Sequence, residues 1–170
     1  DIRYICLSDT HFGEEDSLLT NLKTASTDID PSAPSPVAVH LAECLRYLIS
    51  KNKNRASKPT LILNGDILEM ALCETNEAAM AFERFVDLVM PLGAALFDKI
   101  LYVPGNHDHH LWESARETQY VDHIKTIVAG KPLPIPWHTP SMFIEEDPNP
   151  VPCYFLTALV NRSPHLKDFN

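Results

Sequence analysis

No apolar run in this sequence reaches the roughly 18 residues that mark a membrane-spanning helix. The longest, from Leu88 to Leu101, is interrupted by Pro91, Gly93, Asp98 and Lys99. No secretory leader pattern is visible; the chain opens at Asp1 and enters strand-like residues at once, so an initiator or a longer N-terminus is expected ahead of it. Positive charge is scarce: 14 Lys and Arg against 23 Asp and Glu give a formal net charge of −9. That balance argues against a broad basic footprint for duplex nucleic acid. It leaves room for a phosphorylated small-molecule or nucleotide-like substrate, because bound metal ions can reverse the sign of a site. The four cysteines, Cys6, Cys44, Cys73 and Cys153, include no pair with the close spacing of a zinc knuckle or redox motif. Three of them sit in apolar stretches, which predicts buried free thiols in a reducing, cytoplasmic compartment. There is no repeat of the solenoid kind.

What is present is ordinary for a globular domain: 45% hydrophobic and 22% charged residues. A length of 170 residues predicts one domain, 1–170, with enough chain for a sizeable core. Ile2–Leu7 has the β-branched and aromatic content of a buried strand. Residues 12–35 are polar and lead into Pro31, Pro34 and Pro36, so a long loop is expected there. Ser35-Pro36 is a helix start, a capping hydroxyl before a proline at the first helical position. Val37, Leu41, Cys44, Leu45 and Leu48 follow at helical spacing.

After the basic linker Lys51–Lys58, a second strand is predicted over Thr60–Leu63 and a helix over 76–97 that Pro91 should break or kink. Met80, Phe82, Phe85, Val86 and Val89 make the apolar face of that helix. A third strand runs Lys99–Val103, a third helix Leu111–Val128 with Gly130 as its stop, and an extended proline-rich stretch Pro132–Pro140. Ser141–Ile144 and Cys153–Leu159 are strand-like.

Three times an apolar strand ends and ionisable residues follow at once: Ser8-Asp9-Thr10-His11, Asn64-Gly65-Asp66 and Gly105-Asn106-His107-Asp108. Strand–helix–strand order implies parallel neighbours with their carboxyl ends on one edge, where such sheets bind ligands. The three clusters should therefore meet. A strand's period of two would put Asp9 and His11 on the same side, offering one metal an oxygen and a nitrogen. Gly65 would let the backbone approach tightly beside Asp66, whose two oxygens can bridge two cations. Asn106 offers a neutral carbonyl oxygen. His107 can point at substrate, and Asp108 could accept a hydrogen bond from it and fix its tautomer.

Asp9-x-His11, Gly65-Asp66 and Gly105-Asn106-His107-Asp108 resemble, in order and spacing, the signature of calcineurin-like metallophosphoesterases. The resemblance covers about the first 110 residues. It implies an α/β four-layer sandwich, helices flanking two central β-sheets, only partly represented by this chain. It also implies two divalent metal ions, manganese foremost, with iron, zinc, magnesium or nickel as alternatives. Asp9 and His11 would hold the first ion, Asp66 would bridge, and Asn106 would hold the second. His107, with Asp108 beside it, would serve catalysis by contacting the phosphoryl or leaving oxygen. The implied reaction is hydrolysis of a phosphomonoester or phosphodiester by a metal-activated water.

Two departures stand out. Glu69 occupies a position where many members carry Asp or Val, and so keeps an acid there. The family's downstream His and later Gly-His-x-His have no counterpart, so the domain is expected to be incomplete on its C-terminal side. An inactive scaffold of the same fold that binds a protein partner is the alternative; retention of Asp9, His11, Asp66, Asn106 and His107 together argues against it. His109 and His110 are close enough to line the cleft, whereas His123, His138 and His165 are expected to be structural or exposed. Substrate choice should lie in Phe12–Ser35, Glu69–Asn76 and His109–Trp112, with Phe12 and Trp112 available to stack a base or hold an acyl chain.

Overall fold

The structure, a computed structural model, describes residues 1–54, 56–132 and 153–161. In chain order it comprises β1 (Tyr4–Leu7), α1 (Pro36–Ile49), β2 (Thr60–Asn64), α2 (Thr75–Val89), β3 (Lys99–Val103), α3 (His109–Ile124) and α4 (Tyr154–Asn161). The strands form one parallel sheet in the order β1-β2-β3. Leu7, Leu63 and Tyr102 lie level in its register, so the carboxyl ends of all three strands share an edge. A sheet that grows in one direction through right-handed crossovers carries both connecting helices on one face, and α1 and α2 do touch.

Each element has a local cause. The Ser35 hydroxyl accepts from the Ala38 amide at 3.0 Å and donates to the Leu18 carbonyl at 2.9 Å, capping α1 and tying it to the long loop. Such a cap contributes about 1 kcal/mol. The buried stripe of α1 is Ala38, Ala42 and Leu45, while Val37 and Leu48 are exposed. The expected face was thus one residue out of phase, because small alanines, not the larger side chains, allow α1 to lie close to its neighbours. Helix α2 stops at Val89, since the residue before Pro91 is disfavoured in helical geometry and Met90 has φ −124° and ψ 37°.

Phe12, Leu61, Leu63, Ile67, Leu68, Phe85, Val86 and Val89 are wholly buried and form the centre of the core. Burying each of these side chains contributes about 1.5–3 kcal/mol. Gly13 packs this core against α2: it has φ +103°, and a Cβ there would lie 2.5 Å from Ala78 Cα.

Several expectations are corrected. The run Cys153–Leu159 is not a strand; α4 covers it and seats Leu159 against α2. A short apolar run has no periodicity that separates a strand from a buried helix. Helix α3 begins two residues earlier and ends four earlier than predicted. Cys6 and Cys44 are exposed, Cys73 and Cys153 are partly buried, and all four are free. Cys6 is exposed because, with Tyr4, it lies on the sheet face opposite Leu61 and Leu63. The described residues make one three-stranded sheet; a second sheet is not among them. Ser141–Ile144, His138 and His165 lie outside the described residues. Among the described residues no helix is long and apolar enough to cross a membrane.

Candidate metal centre

Beyond the strands, the three loops are stitched to one another through their main chains. Asp9 N donates to Gly65 O at 3.0 Å, His11 N to Asp66 O at 3.0 Å, Phe12 N to Ile67 O at 2.8 Å and Glu69 N back to Phe12 O at 3.0 Å. Gly65 N donates to Val103 O at 2.7 Å and joins the third strand. The Thr10 hydroxyl adds a bond to Ile67 O at 3.0 Å. Asp9, His11 and Asp66 all have positive φ (52°, 45° and 50°), a conformation that side chains other than glycine rarely adopt. Strained backbone of this kind concentrates at functional sites and persists only where its surroundings hold it.

Asp9 and His11 do come together, but through these two left-handed residues and not through a strand's alternation. One ligand atom from each of Asp9, His11 and Asp66 lies within 4.8 Å of the others, and His11, Glu69 and His107 form a second such group. The two groups share His11. Asp66 Oδ1 also accepts from the His107 amide at 2.8 Å, which locks the second loop to the third. Asn106 sits between Gly105 and His107 and is exposed.

Glu69 is the participant that sequence reasoning undervalued. Its side chain is fully buried, yet Oε2 lies 3.0 Å from His11 Nδ1 and 2.6 Å from His107 Nδ1. Its other oxygen accepts from the Ala71 and Leu72 amides, both at 2.9 Å. An ionised carboxylate only accepts, so each imidazole donates from Nδ1 and keeps Nε2 for another partner. One buried oxygen thereby sets the tautomer of both histidines. The only signal in the sequence was an acid three residues after Asp66.

Asp108 does not accept from His107. Its buried carboxylate takes the amides of Ile67 at 2.8 Å and Leu68 at 3.3 Å, the Tyr102 hydroxyl at 2.6 Å and the Gly105 amide. Lying at the start of α3, it turns back into the sheet edge and clamps the second and third loops. Phe12 does not reach a ligand either: it is wholly buried against Phe82 and Phe85. Trp112 is half-buried with the Arg116 guanidinium 5.8 Å from its ring centre. His109 and His110 are exposed on the first turn of α3.

A family model for calcineurin-like phosphoesterases matches residues 2–148. The chain belongs to that family. A search of curated proteins found no match to it, and neither did a search of solved structures.

In this calcineurin-like phosphoesterase the donor set suits a cation. Asp9, Asp66, Glu69 and Glu14 surround two imidazoles, with Glu14 Oε2 3.6 Å from His11 Nδ1. Grouped carboxylates repel one another unless positive charge intervenes. Burial by itself would lower the His11 imidazole, but the hydrogen bond with Glu69 and the charges of Glu14, Glu69 and Asp66 hold it above its ordinary value. Burial would raise Glu69, but hydrogen bonds from His11, Ala71, Leu72 and His107 hold it below its ordinary value.

These two directions predict how the metal-free phosphoesterase responds to pH. A raised imidazole contributes stability in full below pH 6.5 and loses it as pH rises through the folded-state value. A lowered carboxyl contributes in full above pH 4.5 and loses it as pH falls. The chelated protein should therefore gain most from this pair between pH 4.5 and 6.5. Divalent ions should reverse the upper limb, since they need a neutral imidazole. Thermal melts across pH with and without chelator check this; a metal-free midpoint that climbs steadily to pH 8 would contradict it.

Gly105 supports the same site. A Cβ there would lie 2.5 Å from Asp66 N and 2.8 Å from Asp66 Cγ, so the tight approach is at Gly105, while Gly65 supplies a φ of +78°. Gly105→Ala is expected to push Asp66 aside and weaken divalent-ion affinity by about 10- to 100-fold. A titration with manganese, read against the unaltered chain, measures it.

Proposed function

We propose that this phosphoesterase hydrolyses a phosphomonoester or phosphodiester at a two-metal centre. Family membership supports metal-dependent phosphoester hydrolysis. The observation that carries the finer reading is the convergence of Asp9, His11 and Asp66 ligand atoms within 4.8 Å at the carboxyl edge of the sheet. In this reading Asp9 and His11 would hold one ion, Asp66 would be shared with the other, and Asn106 would serve the second. Manganese is the ion proposed, because the donors of Asp9, Asp66 and Asn106 are carboxylate and carbonyl oxygens, which suit it. Bound ions would supply charge neutralisation for the phosphoryl oxygens and a water acidified enough to attack phosphorus.

The protein's own contribution is orientation and proton handling. His11 Nε2 is turned away from Glu69 and left for an ion. His107 Nε2 is left in the same way for the leaving oxygen, to which the imidazolium form, carrying a proton on each ring nitrogen, would pass its Nε2 proton. Glu69 fixes both rings, and Asp108 holds the loop that carries His107. The substrate is a phosphorylated small molecule or nucleotide-like compound. A reducing, cytoplasmic setting belongs to the same proposal and is supported by four free thiols.

The test combines bound-metal analysis with turnover of an aryl phosphomonoester and an aryl phosphodiester in added manganese. About two ions per chain and hydrolysis of either ester support the enzyme. A chain that binds no metal and turns over neither ester is the partner-binding scaffold instead.

A further inference from the structure

We infer that the first turn of α3 carries a separate binding site for one zinc ion, formed by His109, His110 and Glu113. A nitrogen from each imidazole and a carboxylate oxygen lie within 4.8 Å of one another. His109 Nε2 is 4.0 Å from Glu113 Oε1, and His110 Nδ1 is 3.3 Å from Glu113 Oε2. Ligands around a tetrahedral zinc ion stand roughly 3.3–3.5 Å apart. Small rotations of three exposed side chains therefore close the set, without movement of the helix.

The second observation is the orientation of His109. Its Nδ1 lies 2.8 Å from the Asn106 carbonyl oxygen. A carbonyl cannot donate, so Nδ1 carries the proton and Nε2 presents its lone pair toward Glu113. Metal-binding histidines are held in this way, one nitrogen on a backbone carbonyl and the other on the ion. The imidazole rings of His109 and His110 lie 4.0 Å apart between centroids with 36° between their planes, so the two rings are held side by side.

Besides the His109 bond to the Asn106 carbonyl, the electrostatics of the helix do not favour two histidines here. Its first turn contains no acid, although acids are what the positive end of a helix favours. An exposed i,i+4 pair such as His109 and Glu113 stabilises a helix only weakly. Two imidazoles and one carboxylate, with the remaining positions open to water, match the zinc donor set. The site shares no ligand with Asp9, His11 or Asp66, and it does not depend on the proposed hydrolysis. The Asn106 carbonyl ties it to that centre.

Zinc titration by calorimetry tests this, using the full chain with Asp9→Asn and Asp66→Asn to disable the first centre. One zinc ion should still bind, and His109→Ala with His110→Ala should weaken it by about 100-fold or more. Should the disabled chain not fold, the same two alanines introduced into the otherwise unaltered chain should lower its zinc content by one equivalent. Zinc binding that is absent, or that is equal with and without His109 and His110, overturns the site. The latter result would assign the ion to other histidines or cysteines of the chain.

Discussion

Asp66→Asn is expected to lower ester turnover by on the order of 10³-fold or more while leaving the chain folded. The size follows from the charge removed. In the proposed two-metal centre Asp66 would be the carboxylate shared by both ions, so amide substitution would withdraw a negative charge from both. Its backbone function survives: Asn tolerates a φ of 50° well, and an amide oxygen can still accept from the His107 amide. Circular dichroism should therefore be unchanged while metal content and turnover collapse together. Turnover equal to that of the unaltered chain, with the same metal content, would remove Asp66 from the centre.

Asp108→Ala is expected to do the reverse, and to act mainly on stability. Its carboxylate answers four donors inside the protein: the Ile67, Leu68 and Gly105 amides and the Tyr102 hydroxyl. Burial, followed by the charge of Asp108, pushes the Tyr102 phenol well above its ordinary value, so the hydroxyl keeps its proton and donates it to Asp108. Removing the shared acceptor strands these groups without water, a loss of about 3–5 kcal/mol. Asp108→Asn keeps one acceptor oxygen and should cost about half as much. Urea unfolding of both variants separates the cases. A loss below about 1 kcal/mol for the alanine variant would show that the clamp is dispensable.

The edge that carries the site was legible in the sequence because apolar strands end abruptly in Asp9, Asp66 and Asn106. Strand order, parallel pairing and the long loop before Pro36 follow from the same punctuation. The side-chain directions were not legible. Asp9 and His11 converge through two left-handed residues, and nothing in Asp9-Thr10-His11 advertises a positive φ. Phe12 beside them resembles an aromatic at a cleft, yet its main chain bridges to Leu68 and draws its ring into the core. Asp108 follows His107 directly, but the start of α3 turns its carboxylate toward Ile67 and Tyr102. Glu69 needed the fold most of all, because burial and two facing imidazoles are tertiary facts. In α1, hydrophobicity picked Val37 and Leu48 for the inner face, where proximity to neighbouring elements required alanine.

The stitching of the three loops to one another has a consequence for how this chemistry can change. The seams run Asp9 to Gly65, His11 to Asp66, Phe12 to Ile67 and Gly65 to Val103, and all of them are peptide groups. Peptide groups are the same whatever residue bears them. This main-chain floor of the site therefore does not depend on which side chains stand on it, although the glycines, Asp108, the Thr10 hydroxyl, the Asp66 bond to the His107 amide and the left-handed backbone at Asp9, His11 and Asp66 restrict the choice at those positions. A lineage, or an engineer, can exchange ligands on that floor, trade one metal for another, or strip the metals away to leave a binding surface. The platform need not be folded anew for any of these.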